Sequence, residues 1–230
     1  MVNHPTNPAE RIRTQFKDAL GIPRNFCELS PEFRGEYIHD QVMIERWIWT
    51  SEPGSKVTSL VYRPIHVSKP VPGIVITNGH GGSKTSSYTK YVGQLYAKLG
   101  IACLVMDTIG EEERHISGEM GTRAHDDHAA DRRAMNAGRT MMGKMIVDTI
   151  RAVDFLCART YVDATKLGIA GNSLGGAIAS WMSGIDPRLT VAIVSGFGIG
   201  EVLNEKQNKL CTRTANQKLL EICSYTQFFT

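Results

Sequence analysis

Four short apolar runs, GIVITN (73–78), IACLVMD (101–107), LGIAG (167–171) and LTVAIVSG (189–196), alternate with stretches of helical character at 86–99, 144–160 and 174–184. No other feature restricts the fold as much. A strand that is apolar on both sides must be covered on both faces, and alternation with helices is how a parallel sheet achieves this. Because crossovers between parallel strands are right-handed, the pattern predicts a doubly wound, mostly parallel open α/β sheet. In such sheets ligands sit beyond the carboxyl ends of the strands, so the residues that follow each run are the place to look for chemistry.

Ahead of this region, Ile12, Phe16 and Leu20 recur at helical spacing and predict an amphipathic helix over 8–20. Residues 37–50 and 57–63 are rich in aromatic and β-branched types, with the turn-forming Glu52-Pro53-Gly54-Ser55 between them. That is the pattern of a hairpin.

The run at 167–171 leads into Gly171-Asn172-Ser173-Leu174-Gly175-Gly176, and a helical pattern follows at once. A serine on so sharp a strand-to-helix turn needs neighbours without side chains, and glycines supply them. Such a turn lifts the hydroxyl of Ser173 out of the sheet beside the positive end of the next helix. It also aims the backbone amide of Leu174 at the oxygen that turns negative when the serine attacks a carbonyl. A tight glycine turn alone explains the same residues, but the strand before and the helix after favour the nucleophilic reading.

A second glycine-rich loop, Asn78-Gly79-His80-Gly81-Gly82, follows the first apolar run. Its glycines allow close approach of backbone to a substrate. The continuation GHGGSKT before a helix is also reminiscent of a phosphate-binding loop, with LVMD (104–107) as a companion strand. That motif requires glycine at positions 78 and 83, where this chain has Asn78 and Ser83. The nucleotide-hydrolysing alternative loses both of its turns.

Taken together, NGHGGSK, the strand ending at Asp107, the stretch His125–Gly143 and GNSLGG make residues 72–198 resemble the α/β-hydrolase superfamily, within it the dienelactone-hydrolase and acetyl-xylan-esterase-like branch. The resemblance implies cleavage of a carboxylic ester on a small-molecule substrate, with no metal or organic cofactor. It also implies that the loop at 79–82 supplies a second oxyanion donor, assigned to the backbone amide of His80 rather than to its imidazole. Two departures stand out. Asn78 occupies a place where these proteins often carry histidine, and Ser173 stands where dienelactone hydrolases proper have cysteine. Ester cleavage through an acyl-enzyme is therefore the expected chemistry.

A serine hydroxyl needs a base, ordinarily a histidine oriented by a carboxylate, and in this superfamily both follow the serine in the chain. All seven histidines (His4, His39, His66, His80, His115, His125, His128) precede Ser173. After it the acidic residues are Asp186, Glu201, Glu205 and Glu221, with no further strand pattern evident. Three explanations remain open: the acid and histidine come from a segment or second chain outside these 230 residues, the chain is a catalytically inactive binding or assembly subunit, or His115, His125 or His128 folds over the serine. Asp107 ends a strand where a pocket forms, without a triad role. His125-Asp126-Asp127-His128 lacks further ligands at metal-site spacing, and a helix capped by Asp126 or Asp127 explains it. Arg132, Arg133 and Arg139 suit a solvated helix face, and Met135, Met141, Met142 and Met145 suit packing.

These readings divide the chain into a helical extension (1–35) and a hydrolase core (36–230) that is incomplete at its carboxyl end and carries a lid-like insertion at about 108–143. A formal net charge of +3, evenly spread, argues against nucleic acid, and no segment approaches the roughly 20 apolar residues of a membrane span. Five scattered cysteines (Cys27, Cys103, Cys157, Cys211, Cys223) and no apolar leader point to the cytoplasm.

Overall fold

The amphipathic helix expected over 8–20 is α1 (Pro8–Leu20) in the computed structural model, which describes residues 7–115, 117–119, 121, 141–197 and 222. Asn7 caps its first turn by accepting a hydrogen bond from the Ala9 amide at 2.9 Å, and Gly21 closes it in the left-handed conformation. Phe16 and Leu20 are buried, and the Phe16 ring lies 5.6 Å from that of Trp181, so α1 is part of the main core.

Strands β2 (Val42–Glu52) and β3 (Ser55–Pro64) form the hairpin expected around Pro53-Gly54. The stretch 37–50, expected as one strand, is divided: β1 (Glu32–His39) ends at a tight turn and pairs antiparallel with β2. Asp40 and Gln41 both adopt positive φ (48° and 63°), as a two-residue hairpin turn of that twist requires. Gln41 is not a residue that advertises such a turn, which is why the sequence pattern missed it.

The apolar runs become β4 (Val71–Thr77), β5 (Ala102–Met106), β6 (Val162–Asn172) and β7 (Leu189–Ser195), separated by α2 (Ser87–Lys98), α3 (Met141–Cys157) and α4 (Leu174–Ile185). Among the described residues seven strands lie in the order β1-β2-β3-β5-β4-β6-β7. The four apolar strands are mutually parallel, while β1, β2 and β3 add an antiparallel flank through the β3–β5 pairing. Side-chain alternation splits the core between the two faces. Ile74, Ile76, Cys103 and Val105 pack under α2 with Leu60 and Tyr62. Val75, Leu104, Leu167 and Ile169 pack under α1, α3 and α4. Met141, Met142 and Met145 are buried in this second layer, as packing residues. Among the described strands β1 and β7 stand at the two edges, and Val191 and Ile193 of β7 are exposed. Most of the expected insertion, including His125, His128, Arg132, Arg133, Met135 and Arg139, lies outside the described residues.

Candidate active site

From β4 the chain winds outward to β5 on one side and, after recrossing, to β6 and β7 on the other. The carboxyl ends of β4 and β6 therefore flank the point at which the winding direction reverses, where open α/β sheets form their crevice. Both glycine-rich loops singled out in the sequence leave from these two strand ends.

Ser173 sits alone between the last residue of β6 and the first of α4, with φ 57° and ψ −119°. A side-chain-bearing residue held there costs on the order of 1–3 kcal/mol, which the surrounding contacts must offset. Its amide donates to the Ser195 carbonyl at 2.9 Å, and its carbonyl accepts from the Ala177 amide at 3.0 Å. The side chain is exposed, and Leu174 behind it is buried. As the first helical residue, Leu174 has an amide without an intrahelical partner.

The glycines of the motif are steric necessities. A Cβ on Gly171 would stand 2.1 Å from the Gly175 carbonyl oxygen, and one on Gly175 would stand 2.1 Å from the Thr77 carbonyl oxygen. A Cβ on Gly176 would meet the Ser195 carbonyl oxygen at 2.5 Å. The first turn of α4 is thus wedged between β4 and β7. Thr77 fastens the wedge, its hydroxyl lying 3.1 Å from the Ala170 carbonyl oxygen and 2.8 Å from that of Gly175.

The loop after β4 lies against the serine. A Cβ at Gly79 would approach the Asn172 carbonyl oxygen at 3.2 Å and Ser173 Cβ at 3.5 Å. A turn follows in which the Gly82 amide donates to the Gly79 carbonyl at 3.0 Å, with Gly81 at φ 74°. His80, half-buried, occupies this turn. Asn78 anchors the start of the loop by donating from Nδ2 to the Met106 carbonyl at 2.7 Å. The departure from histidine at this position therefore leaves an anchored loop.

Asp107 is fully buried and, with Asn78, Arg114 and Asp148, lines a small internal cavity of about 10 Å³. Its carboxylate accepts from the Thr58 hydroxyl, the Lys84 ammonium and the Lys84 amide at 2.6, 2.6 and 2.9 Å. Burial pushes this carboxyl up to about 6, against the pull of Lys84 and Thr58. Lys84 also contacts Glu112, and Arg114 bridges the Asp107 carbonyl and the buried Asp148. Asp148 in turn pairs with Lys144 of α3. The sequence reading missed this ionic system; its one visible signal was a set of charged residues inside otherwise apolar or glycine-rich stretches.

Of the acidic residues after Ser173, Asp186 caps the opposite end of α4, about 18 Å away along a twelve-residue helix, and is paired with Arg188. Glu201, Glu205 and Glu221 lie outside the described residues. His115 Nδ1 is 2.8 Å from the Ser117 hydroxyl. A cavity of about 1070 Å³ lies between α1 and the Asp186 end of α4, lined by Ile22, Phe26, Ile150 and Arg188. It lies at the end of that helix opposite Ser173.

The sequence profile of the acetyl xylan esterase (AXE1) family matches residues 25–199, which include both loops and all seven strands. The chain belongs to this family. It is 25% identical over 196 residues to a Bacillus subtilis (strain 168) protein, YtaP, that carries a provisional hydrolase name. That match takes in 80% of the chain and 62% of YtaP. Among solved structures, the acetyl xylan esterase from Paenibacillus sp. R4 superposes with a TM-score of 0.59 at 17% identity, covering 100% of this chain and 69% of that one. The glucuronoyl esterase from Solibacter usitatus gives 0.63 at 17% identity, covering 91% and 64%. A Bacteroides fragilis NCTC 9343 structure provisionally named an acetyl xylan esterase gives 0.68 at 18%, covering 79% and 50%. The chain therefore spans about half to two-thirds of the length of these first relatives, and the structural likenesses establish the α/β-hydrolase fold of this family member.

Proposed function

We propose that this chain carries the nucleophile and oxyanion donors of a serine esterase that cleaves a small carboxylic ester. The supporting observation is the placement of Ser173, exposed at φ 57° between β6 and α4 with Gly79 of the β4 loop against it. In this reading the Ser173 hydroxyl attacks the ester carbonyl carbon as a base takes its proton. The oxyanion of the tetrahedral intermediate is received by the amides of Leu174 and His80. Collapse breaks the bond to the alcohol, which leaves with that proton, and water then releases the acid from the acyl-enzyme. The family name points to an acetate ester, on a sugar hydroxyl, as the substrate class. A reducing compartment suits the chain, since Cys27, Cys103 and Cys157 are free thiols. Among the described residues no helix is long and apolar enough to cross a membrane.

The base and its acid belong, in this reading, to a segment or chain outside these 230 residues, because no histidine follows Ser173 and Asp186 is spent at the far end of α4. The test is hydrolysis of 4-nitrophenyl acetate by the purified chain. We expect turnover that is slow, of the size an oxyanion hole without its base sustains (roughly 10³-fold over water), and removed by Ser173→Ala. Robust turnover that disappears in His115→Ala, His125→Ala or His128→Ala would show that the base is internal.

A further inference from the structure

We infer that Lys84 and Asp107 form a positioning clamp for the loop that presents the His80 amide, a role that rests on the reading of residues 79–82 as the oxyanion loop. The loop between β4 and α2 is staked at both ends to two successive residues at the end of β5. Asn78 holds the Met106 carbonyl at one end. At the other, Lys84 makes two bonds to one carboxylate: its amide to Asp107 Oδ1 at 2.9 Å and its ammonium to Oδ2 at 2.6 Å. One bond would leave the chain free to pivot; two to the two oxygens of a planar group fix both its path and its orientation.

The carboxylate is itself immobilised. The Thr58 hydroxyl donates to Oδ2 from β3, and the Asp107 amide donates to the Thr58 carbonyl at 2.9 Å. β5 lies between β3 and β4, inside the sheet, so the stakes stand on its most constrained part. Lys84 and Asp107 side chains are only 6% and 0% exposed. Burying such a pair is a poor way to gain stability, since apolar residues of similar volume often do as well. Its return is geometric, and here the geometry delivered is that of the amides four and five residues before Lys84. The clamp also reaches the segment after β5. Glu112 accepts from Lys84 Nζ at 3.0 Å and from the Thr85 hydroxyl at 2.8 Å, and Glu113 lies 3.3 Å from Nζ. A Cβ on Gly81 would stand 3.0 Å from Gly121 Cα, so that segment also touches the turn.

The test compares the full chain with Lys84→Met and with the double variant Lys84→Met/Asp107→Asn. The single change leaves a buried carboxylate without its cation; the double change removes both charges and restores neutrality. Two readouts are made: amide hydrogen exchange mapped by mass spectrometry, and the rate at which a fluorophosphonate attaches to Ser173. The clamp predicts that the double variant recovers its unfolding midpoint. Its amides at 79–86 nonetheless exchange about tenfold faster while α3 and α4 keep their protection. Labelling at Ser173 should slow by up to about 100-fold, as displacement of a catalytic donor by an ångström does. Wild-type protection at 79–86 in the double variant would overturn the proposal, as would faster exchange spread evenly over the fold. Loop exchange that rises as expected, with prolonged labelling of the unaltered chain falling on a residue other than Ser173, would uphold the clamp and reject the esterase reading.

Discussion

Gly175→Ala is expected to disrupt the serine turn and to remove a large part of the native stability. The added methyl would sit 2.1 Å from the Thr77 carbonyl oxygen, 2.6 Å from its carbonyl carbon and 2.9 Å from the carbonyl carbon of Asn78. All three atoms are backbone, so no side chain can rotate aside. The first turn of α4 must then separate from β4, and Asn78, the root of the loop at 79–82, moves with it. Overpacking of well-filled interiors typically costs 1–3 kcal/mol; a clash with backbone on a fixed strand belongs at or above the upper end, about 3 kcal/mol. Gly54→Ala is the control: nothing lies within 4 Å of its Cβ, and only the positive φ of 77° is penalised, by roughly 1–2 kcal/mol. Urea unfolding of both variants checks the contrast. A Gly175→Ala chain as stable as Gly54→Ala would contradict the packing described for the site.

Asp148→Ala carries the second large effect. The Asp148 side chain is 2% exposed and accepts from Lys144 and, at 2.9 Å, from Arg114. Burial alone would raise its carboxyl, but Arg114 and Lys144 outweigh burial and hold it at about 2. Truncation leaves two buried cations without their shared carboxylate, Lys144 keeping Glu52 and the Ser51 hydroxyl and Arg114 keeping the Asp107 carbonyl. Breaking a buried pair from one side costs about 3–5 kcal/mol. The pH dependence of the unaltered chain reports the same group. A carboxylate depressed in the folded state stabilises fully above its unfolded value and loses that contribution as pH falls toward the folded one. Some 2 kcal/mol should therefore vanish between about pH 4 and pH 2. Protonation costs less than truncation because the neutral carboxyl still fills its site. Unfolding measured at pH 7 and across the acid range, for both proteins, tests this; a loss below 1 kcal/mol at pH 7 would show that the network is relaxed by solvent.

The parallel half of the fold was legible because its strands are buried on both sides, which writes them as unbroken apolar runs. β6 is the partial exception: its first residues, Val162–Lys166, are largely polar and partly exposed, so only the run at 167–171 was visible. The serine turn was legible for a stricter reason. Gly171, Gly175 and Gly176 each face backbone at 2.1–2.5 Å, so the sequence had no other residue to put there. The β1–β2 turn was hidden because its positive φ angles fall on Asp40 and Gln41. The ionic system was hidden by distance along the chain. Lys84 meets Asp107 across 23 residues and Lys144 meets Ser51 across 93, and no local period encodes such pairs. Asp107 illustrates the consequence. Read from sequence as a strand-end residue beside a pocket, it lines a cavity of only about 10 Å³ and is also the anchor to which the neighbouring loop is tied.

In the proposed esterase Ser173 is the nucleophile. The most direct measurement is prolonged reaction of the chain with excess fluorophosphonate, followed by peptide mass spectrometry to locate the adduct. Modification is expected on Ser173 in preference to the other serines, because it combines exposure with the strained strand-to-helix turn, and no adduct is expected after Ser173→Ala. An adduct on another residue, or one that persists in Ser173→Ala, would contradict this assignment.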